Sequence, residues 1–399
     1  MSAAKMDVLI VGAGPVGLAV ALGCAARGLR SRLVERGAPP LDKACGEGIM
    51  PDGVARLRRL GIDPVAAGGR PFLGIRYIDG DVGAEARFGA APGVGIRRTR
   101  LASALIERAR GAGIRLDFGL TVRGLTPGGV TTDRGELEAD VVVGADGLCS
   151  RVRRWSGLDR GPRGRRFGVR RHFRVRPWSD LVEVHWGDGC EAYVTPVGEN
   201  EVGVAILWRG TKGRFDALLE RFPRLEARLR GAEAVSKDRG AGPLERRVRA
   251  VTAGRVALVG DAAGYVDAIT GEGLSAGFAQ AEALATALAD GRIDRYAAAH
   301  RRLRRLPVLL VRSLLAVERR PALRRRLMRS LAADPLLFAR LLALHSGERR
   351  PSELGVLALA DLGRRLLSPA AQGHSAAPAP SAVATGTALR LRAGRARRR

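Results

Sequence analysis

Lysine is almost missing from this chain. Four lysines (Lys5, Lys43, Lys212, Lys237) stand among 68 basic residues, so 64 are arginine, set against 40 acids for a net charge of +28. A charge of that size ordinarily points to nucleic acid or an anionic membrane surface. Here arginine replaces lysine throughout and 53 glycines accompany it, which reads as the coding bias of a GC-rich genome. Aromatic residues are also scarce, 9 Phe, 4 Tyr and 4 Trp, leaving few platforms for base stacking, and no specific nucleic-acid binding is expected. The four cysteines, Cys24, Cys45, Cys149 and Cys190, form no CxxC pair, which excludes a disulfide framework and a cysteine zinc site, and no metal is expected. No apolar run approaches the roughly 18 to 20 residues that span a bilayer, since Pro307 to Val317 is broken by Arg312. Lys5 is the one positive charge before the first apolar run, so no secretory signal is expected and the chain reads as cytoplasmic.

What is present is a folded composition, 46% hydrophobic and 27% charged. Asp7 to Val11 is a short β-rich run ending in glycines, Val16 to Arg27 a helix closed by Gly28, and Arg32 to Glu35 a second strand, which together make a βαβ unit. A further helix runs from about Asp52 to Leu60, and Ala139 to Ala145 and Val256 to Val259 read as strands ending in Asp-containing turns. Between these, Phe167 to Val175, Leu181 to Trp186, Ala192 to Val197 and Glu201 to Leu207 alternate as half-exposed antiparallel strands, joined by Phe72 to Asp79 and Ala84 to Phe88. Leu274 to Asp290 returns to helix. Residues 301–367 read as arginine-rich amphipathic helices punctuated by Pro307, Pro321, Pro335 and Pro351, and residues 368–399 as a basic tail without fixed structure.

Gly12-Ala13-Gly14-Pro15-Val16-Gly17 matches G-x-G-x-x-G between a strand and a helix. Its glycines allow a tight turn, close approach of a pyrophosphate to the backbone, and close packing of helix on strand, while the helix N-terminus favours phosphate charge. Glu35 ends the second strand at the distance expected of a carboxylate that binds an adenosine ribose, and an acid there disfavours a 2′-phosphate.

Gly144-Ala145-Asp146-Gly147-Leu148-Cys149-Ser150-Arg151-Val152-Arg153 resembles the GADGxxSxxR segment of FAD-dependent aromatic hydroxylases of the para-hydroxybenzoate hydroxylase type, and Gly260-Asp261-Ala262-Ala263-Gly264 resembles their GDAA segment. The resemblance implies FAD as cofactor, with Asp261 at the ribityl chain and Asp146 with Gly147 near the pyrophosphate; each Asp also reads as a helix cap. Thr270-Gly271-Glu272-Gly273-Leu274 opens a helix whose amides would face the flavin ring. There the chain departs from the hydroxylases, and GDAAGY with TGEGL is similar instead to the geranylgeranyl reductase branch of the superfamily. Lys43-Ala44-Cys45-Gly46-Glu47-Gly48 and Tyr193 to Gly198 lean the same way. Cys45 reads either as a flavin-facing thiol, the one catalytic candidate, or as an inert buried cysteine. Arg100 resembles the family's arginine that reaches the flavin phosphates, and Arg36 and Gly46 complete the cofactor set. His172, His185 and His345 have no paired Asp or Ser at recognisable spacing and read as structural or surface residues. The eleven arginines between Arg151 and Arg176 read as a solvated face or an attractor of anions.

These readings predict an α/β protein: a Rossmann-type FAD-binding domain (1–71, 92–160 and 244–300), an inserted antiparallel β substrate domain (72–91 and 161–243), a helical C-terminal extension (301–367) and the tail. The expected activity is an FAD-dependent oxidoreductase fed by NADPH or NADH. A monooxygenase consuming molecular oxygen and hydroxylating a hydrophobic or aromatic small molecule ranks first, a reductase of prenyl or other alkene double bonds second, and a non-catalytic basic flavoprotein third. Peripheral contact at the inner membrane face is a further expectation, through the arginine-rich helices.

Overall fold

The computed structural model describes residues 6–211 and 213–348. Its centre is the apolar run near the N-terminus. Strand Met6–Val11 pairs in parallel with Ser31–Glu35 on one side and Gly135–Gly144 on the other. Arg115–Phe118 extends the sheet past Ser31–Glu35, and Val256–Leu258 extends it past Gly135–Gly144, both again in parallel. Because the five strands run one way, Val11, Glu35, Gly144 and Leu258 end at the same edge, and the segments that follow them are brought together there. The hairpin of Val122–Thr126 and Gly129–Thr132 continues antiparallel from Gly135–Gly144.

Helix Pro15–Ala25 lies against helix Gly273–Ala289, and only small residues permit the contact: a Cβ on Gly277 would come within 2.4 Å of Val16, and one on Gly23 within 2.9 Å of Ala285. Leu9, Ile10, Leu18, Leu33, Val143 and Leu284 are fully buried around this junction.

The inserted sheet runs Arg166–Arg174, Glu201–Arg209, Cys190–Gly198, Val182–Gly187, Gly74–Asp79 and Val82–Arg87. All its pairings along that path are antiparallel except Val182–Gly187 with Gly74–Asp79, which is parallel. Val169, Val204 and Ile206 pack under the short helices Phe215–Leu219 and Pro223–Leu229. Ile75, Val184 and Trp186 pack under the C-terminal helices through Met328, Leu331 and Phe338.

The fold is thus the expected α/β class with a parallel sheet, antiparallel sheets and C-terminal helices. Two local expectations change. Phe72 to Asp79 divides, with Arg70–Phe72 joining Gly48–Ile49 and Gly93–Gly95 in a small separate sheet. Pro307 does not punctuate: it lies inside helix Ile293–Glu318, whose Val311 and Val317 are buried beyond it, whereas Pro321 and Pro335 open helices at the position where the missing N–H costs nothing. The expected helix after residue 348, Pro351 and the basic tail lie outside the described residues. Among the described residues no helix is long and apolar enough to cross a membrane.

Candidate functional site

At the shared strand edge the glycine turn has no room for side chains in two places and ample room in a third. Gly12 has φ +111°, and a Cβ there would meet Ala145 O at 2.5 Å; one on Gly17 would meet Gly12 O at 2.0 Å. At Gly14 the nearest atom to a built Cβ is an Arg98 guanidinium nitrogen at 3.7 Å, so space is left over the turn where Pro15 starts the helix. Glu35, buried, accepts hydrogen bonds from Ala13 N at 3.1 Å and Gly37 N at 3.0 Å, which fixes its carboxylate beside the turn. Arg36, next to it, is exposed.

Asp146 accepts from Arg151 N at 2.6 Å and Val152 N at 3.2 Å through one oxygen, at the start of the short helix Arg151–Trp155, which Ser150 caps by accepting from Arg153 N at 2.9 Å. Its other oxygen, Oδ1, is buried without a hydrogen bond. Arg153, the last residue of that motif, staples it to the second: it donates to Leu148 O at 2.9 Å, Ala262 O at 3.2 Å and Asp261 O at 3.3 Å, and pairs with Asp159 at 2.8 Å. Asp261 follows Gly260, whose φ of +62° turns the chain out of the sheet. Burial raises the Asp261 carboxyl, against the pull of Arg98, Lys43 and Arg153.

The Lys43–Gly48 loop leads from strand Ser31–Glu35 of this edge to the small sheet at Gly48–Ile49, and Arg170, His172 and Thr195 of the inserted sheet contact it on the way. Cys45 Sγ accepts from Glu47 N at 3.3 Å and lies 3.9 Å from an Arg98 guanidinium nitrogen; burial pushes its thiol up, so it is neutral. Gly46 is exposed, with nothing near a built Cβ, and its carbonyl accepts from Thr195 Oγ1 at 2.9 Å. Glu47 holds the loop in place. It is a buried non-glycine residue at φ +61°, and its carboxylate accepts from Arg98 N at 2.8 Å and pairs with His172 Nε2, while Arg170 lies 3.8 Å away. A left-handed conformation at such a residue is kept only where its surroundings hold it.

Gly271 and Gly273 are exposed at the start of helix Gly273–Ala289, with Glu272 between them. Glu272 and Gly273 line a cavity of about 190 Å³ together with Asp261, Tyr265, Arg304 and Val311. Tyr265 OH is 3.7 Å from a built Gly273 Cβ, and Cys45 and Asp261 lie within electrostatic reach of it.

The structure therefore brings Gly12, Gly14, Pro15, Gly17, Glu35, Cys45, Gly46, Asp146, Gly147, Gly260, Asp261 and the Gly271–Gly273 segment around one edge. Arg100 stands apart: exposed, it donates to Gly68 O at 2.8 Å, whereas Arg98 is the arginine nearest Gly14. Arg98 opens helix Arg98–Gly111, and Arg100 lies on its exposed side. Nor is the Arg151 to Arg176 cluster simply solvated, since Arg153, Arg166 and Arg170 are buried in ion pairs. His172 is fully buried against Glu47 and Ser236, a partnership 125 residues long that spacing cannot reveal. Among the described residues no group of three or more His, Cys, Asp or Glu side chains could hold a metal.

Comparison with known proteins identifies the family. The family described as FAD binding domain matches residues 5–197. The chain is 31% identical to digeranylgeranylglycerophospholipid reductase of Methanothrix thermoacetophila over 72% of its own length and 79% of the relative's. It is 27% identical to menaquinone reductase of Mycobacterium tuberculosis, over 76% and 84%. Among solved structures, a flavoprotein/dehydrogenase of Cytophaga hutchinsonii superposes with a TM-score of 0.75 at 18% identity, covering 86% of this chain and 93% of that one. The chain belongs to the FAD-dependent oxidoreductases of the para-hydroxybenzoate hydroxylase and geranylgeranyl reductase superfamily.

Proposed function

We propose that this protein is a flavin-dependent reductase that saturates a carbon–carbon double bond in a hydrophobic, prenyl-type molecule, with NADPH or NADH as electron donor. The observation that carries the reading is the Lys43–Gly48 loop, which puts the Cys45 thiol at the same edge as the glycine turn and Asp261. Two reductases at 27% and 31% identity, each covered over more than two thirds of its length, support it. The likeness to solved structures lies under 25% identity and speaks for the fold alone.

The residues fit an extended FAD. The open space over Gly14 takes a pyrophosphate, with Gly12, Pro15 and Gly17 shaping the turn, Arg98 beside it, and the unpartnered Asp146 Oδ1 and Gly147 at its rim. Glu35 would bind the adenosine ribose with Arg36 outside it, Gly260 and Asp261 the ribityl chain, and Gly271, Glu272, Gly273, Cys45 and Gly46 the ring. Bound there, FAD supplies the hydride that such a reduction needs. The protein orients the alkene, excludes water through the inserted sheet and C-terminal helices, and keeps Cys45 as a protonated thiol, because burial disfavours its thiolate.

The test is anaerobic. Protein reduced with NADPH is mixed with a geranylgeranyl lipid, and flavin reoxidation is compared with the saturated product by mass spectrometry. Equal amounts of both are expected. Reoxidation that needs oxygen and leaves a hydroxyl group on an aromatic substrate would replace this reading with hydroxylation.

A further inference from the structure

Glu272, the residue before helix Gly273–Ala289, meets a histidine from the far end of the described chain. His345 closes helix Pro335–His345, with Nε2 2.9 Å from Thr270 O and Nδ1 3.1 Å from Glu272 Oε1. A carbonyl oxygen can only accept, so Nε2 carries a hydrogen. In the neutral ring Nδ1 is then a lone pair, and at 3.1 Å from Glu272 Oε1 it can accept a hydrogen only if the carboxyl group carries one.

The alternative, imidazolium beside carboxylate, places two charges in a poorly solvated site. Asp52 from helix Pro51–Arg59 and Tyr77 from strand Gly74–Asp79 face Glu272; Arg56 lines the same cavity but is drawn to Glu282. Burial, then the like charge of Asp52, pushes Glu272 up to about 8, and burial brings His345 down to about 4. Both directions favour the neutral pair. Glu272 Oε2 is buried, and the opposing influence on the carboxyl group is a hydrogen bond from the Thr270 side chain, which favours its ionised form.

The position gives the protonation state its consequence. A helix presents roughly half a positive charge at its N-terminus, and a carboxylate at the capping residue would cancel it. We propose that His345 holds Glu272 as a neutral acid so that the positive end of helix Gly273–Ala289 stays available to the reduced flavin ring, which makes the C-terminal helical extension a positioning element of the redox site. The inference rests on the cofactor placement proposed above.

The experiment measures FAD content and the flavin midpoint potential of the holoprotein between about pH 6 and about pH 10, bracketing the value of about 8. In the wild type the potential should fall more steeply with pH as Glu272 ionises. Glu272→Gln, a mimic of the neutral acid, should match wild type near neutrality and lack that added fall. His345→Phe should move the bend, and His345→Gln, which can both donate to Thr270 O and accept from Glu272, should restore it. Identical profiles in wild type and Glu272→Gln, both fully loaded with FAD, would overturn the proposal. If the proteins carry no FAD, the cofactor placement fails instead, and nitrogen NMR of the His345 ring still decides the pair. A neutral ring with hydrogen on Nε2 at mildly acidic pH supports it, and an imidazolium overturns it.

Discussion

Alanine at Gly14 and at Gly17 should separate holding FAD from holding the fold. At Gly17 an added Cβ lies 2.0 Å from Gly12 O and 3.1 Å from Ala145 Cβ, both parts of the sheet edge that cannot swing aside. Overpacking of this kind costs about 1 to 3 kcal/mol or more, so the cofactor-free Gly17→Ala protein should melt several degrees lower. At Gly14 the backbone has φ −64°, open to any residue, and the nearest atom is the end of the Arg98 side chain at 3.7 Å. Alanine there gains about 0.4 to 1 kcal/mol by restricting the unfolded chain and loses a similar amount as a poorer helix cap. The cofactor-free Gly14→Ala protein should therefore melt within about 2 °C of wild type. Its methyl group nonetheless occupies the space assigned to the pyrophosphate, so FAD affinity should fall at least about tenfold, or about 1.4 kcal/mol. Differential scanning fluorimetry without cofactor and flavin fluorescence titration read the two effects. A Gly14→Ala variant that binds FAD as tightly as wild type would refute the assignment of this turn to the cofactor.

Arg98→Ala should weaken FAD binding by about tenfold or more while Arg100→Ala leaves it unchanged, as the same titration would show. Glu47→Leu leaves His172 Nε2 without its buried partner while Arg170 keeps Asp42, and should lower stability by about 1 to 3 kcal/mol in urea unfolding; a loss below about 0.5 kcal/mol would count against its role in holding the Cys45 loop. His300, buried beside Tyr296, is brought down to about 3 by burial, so the unfolded chain takes up its proton first. Its contribution is whole above about pH 6.5 and is lost as pH falls towards 3, at no more than about 1.4 kcal/mol per pH unit, and His300→Phe should flatten that part of the stability profile.

The parallel sheet was legible because the ends of its strands are buried on both faces, and Val8 to Val11 and Val141 to Val143 show it as apolar runs that stop at glycine. The glycine turn, Glu35 and the two Asp segments were legible because strand-end turns keep their chemistry local in sequence. What stayed hidden depends on contact between distant segments. Arg98 differs from its neighbours by helical phase alone, and nothing near Glu47 in sequence announces His172 or Arg170. His345 reaches Thr270 from 75 residues away. In a chain with 64 arginines, the buried ones at 153, 166 and 170 carry no compositional mark.

The order of strands in the central sheet has a consequence for biosynthesis. Every strand of the inserted sheet lies before residue 242, whereas the parallel sheet receives Val256–Leu258 only afterwards. As the chain leaves the ribosome, the inserted sheet has all of its strands while the parallel sheet still exposes the open side of Gly135–Gly144. Asp261 arrives with the strand that closes that side. On the cofactor placement proposed above, a nascent chain can thus offer the glycine turn long before it can hold a whole flavin, and cofactor capture waits for Val256–Leu258 and Asp261.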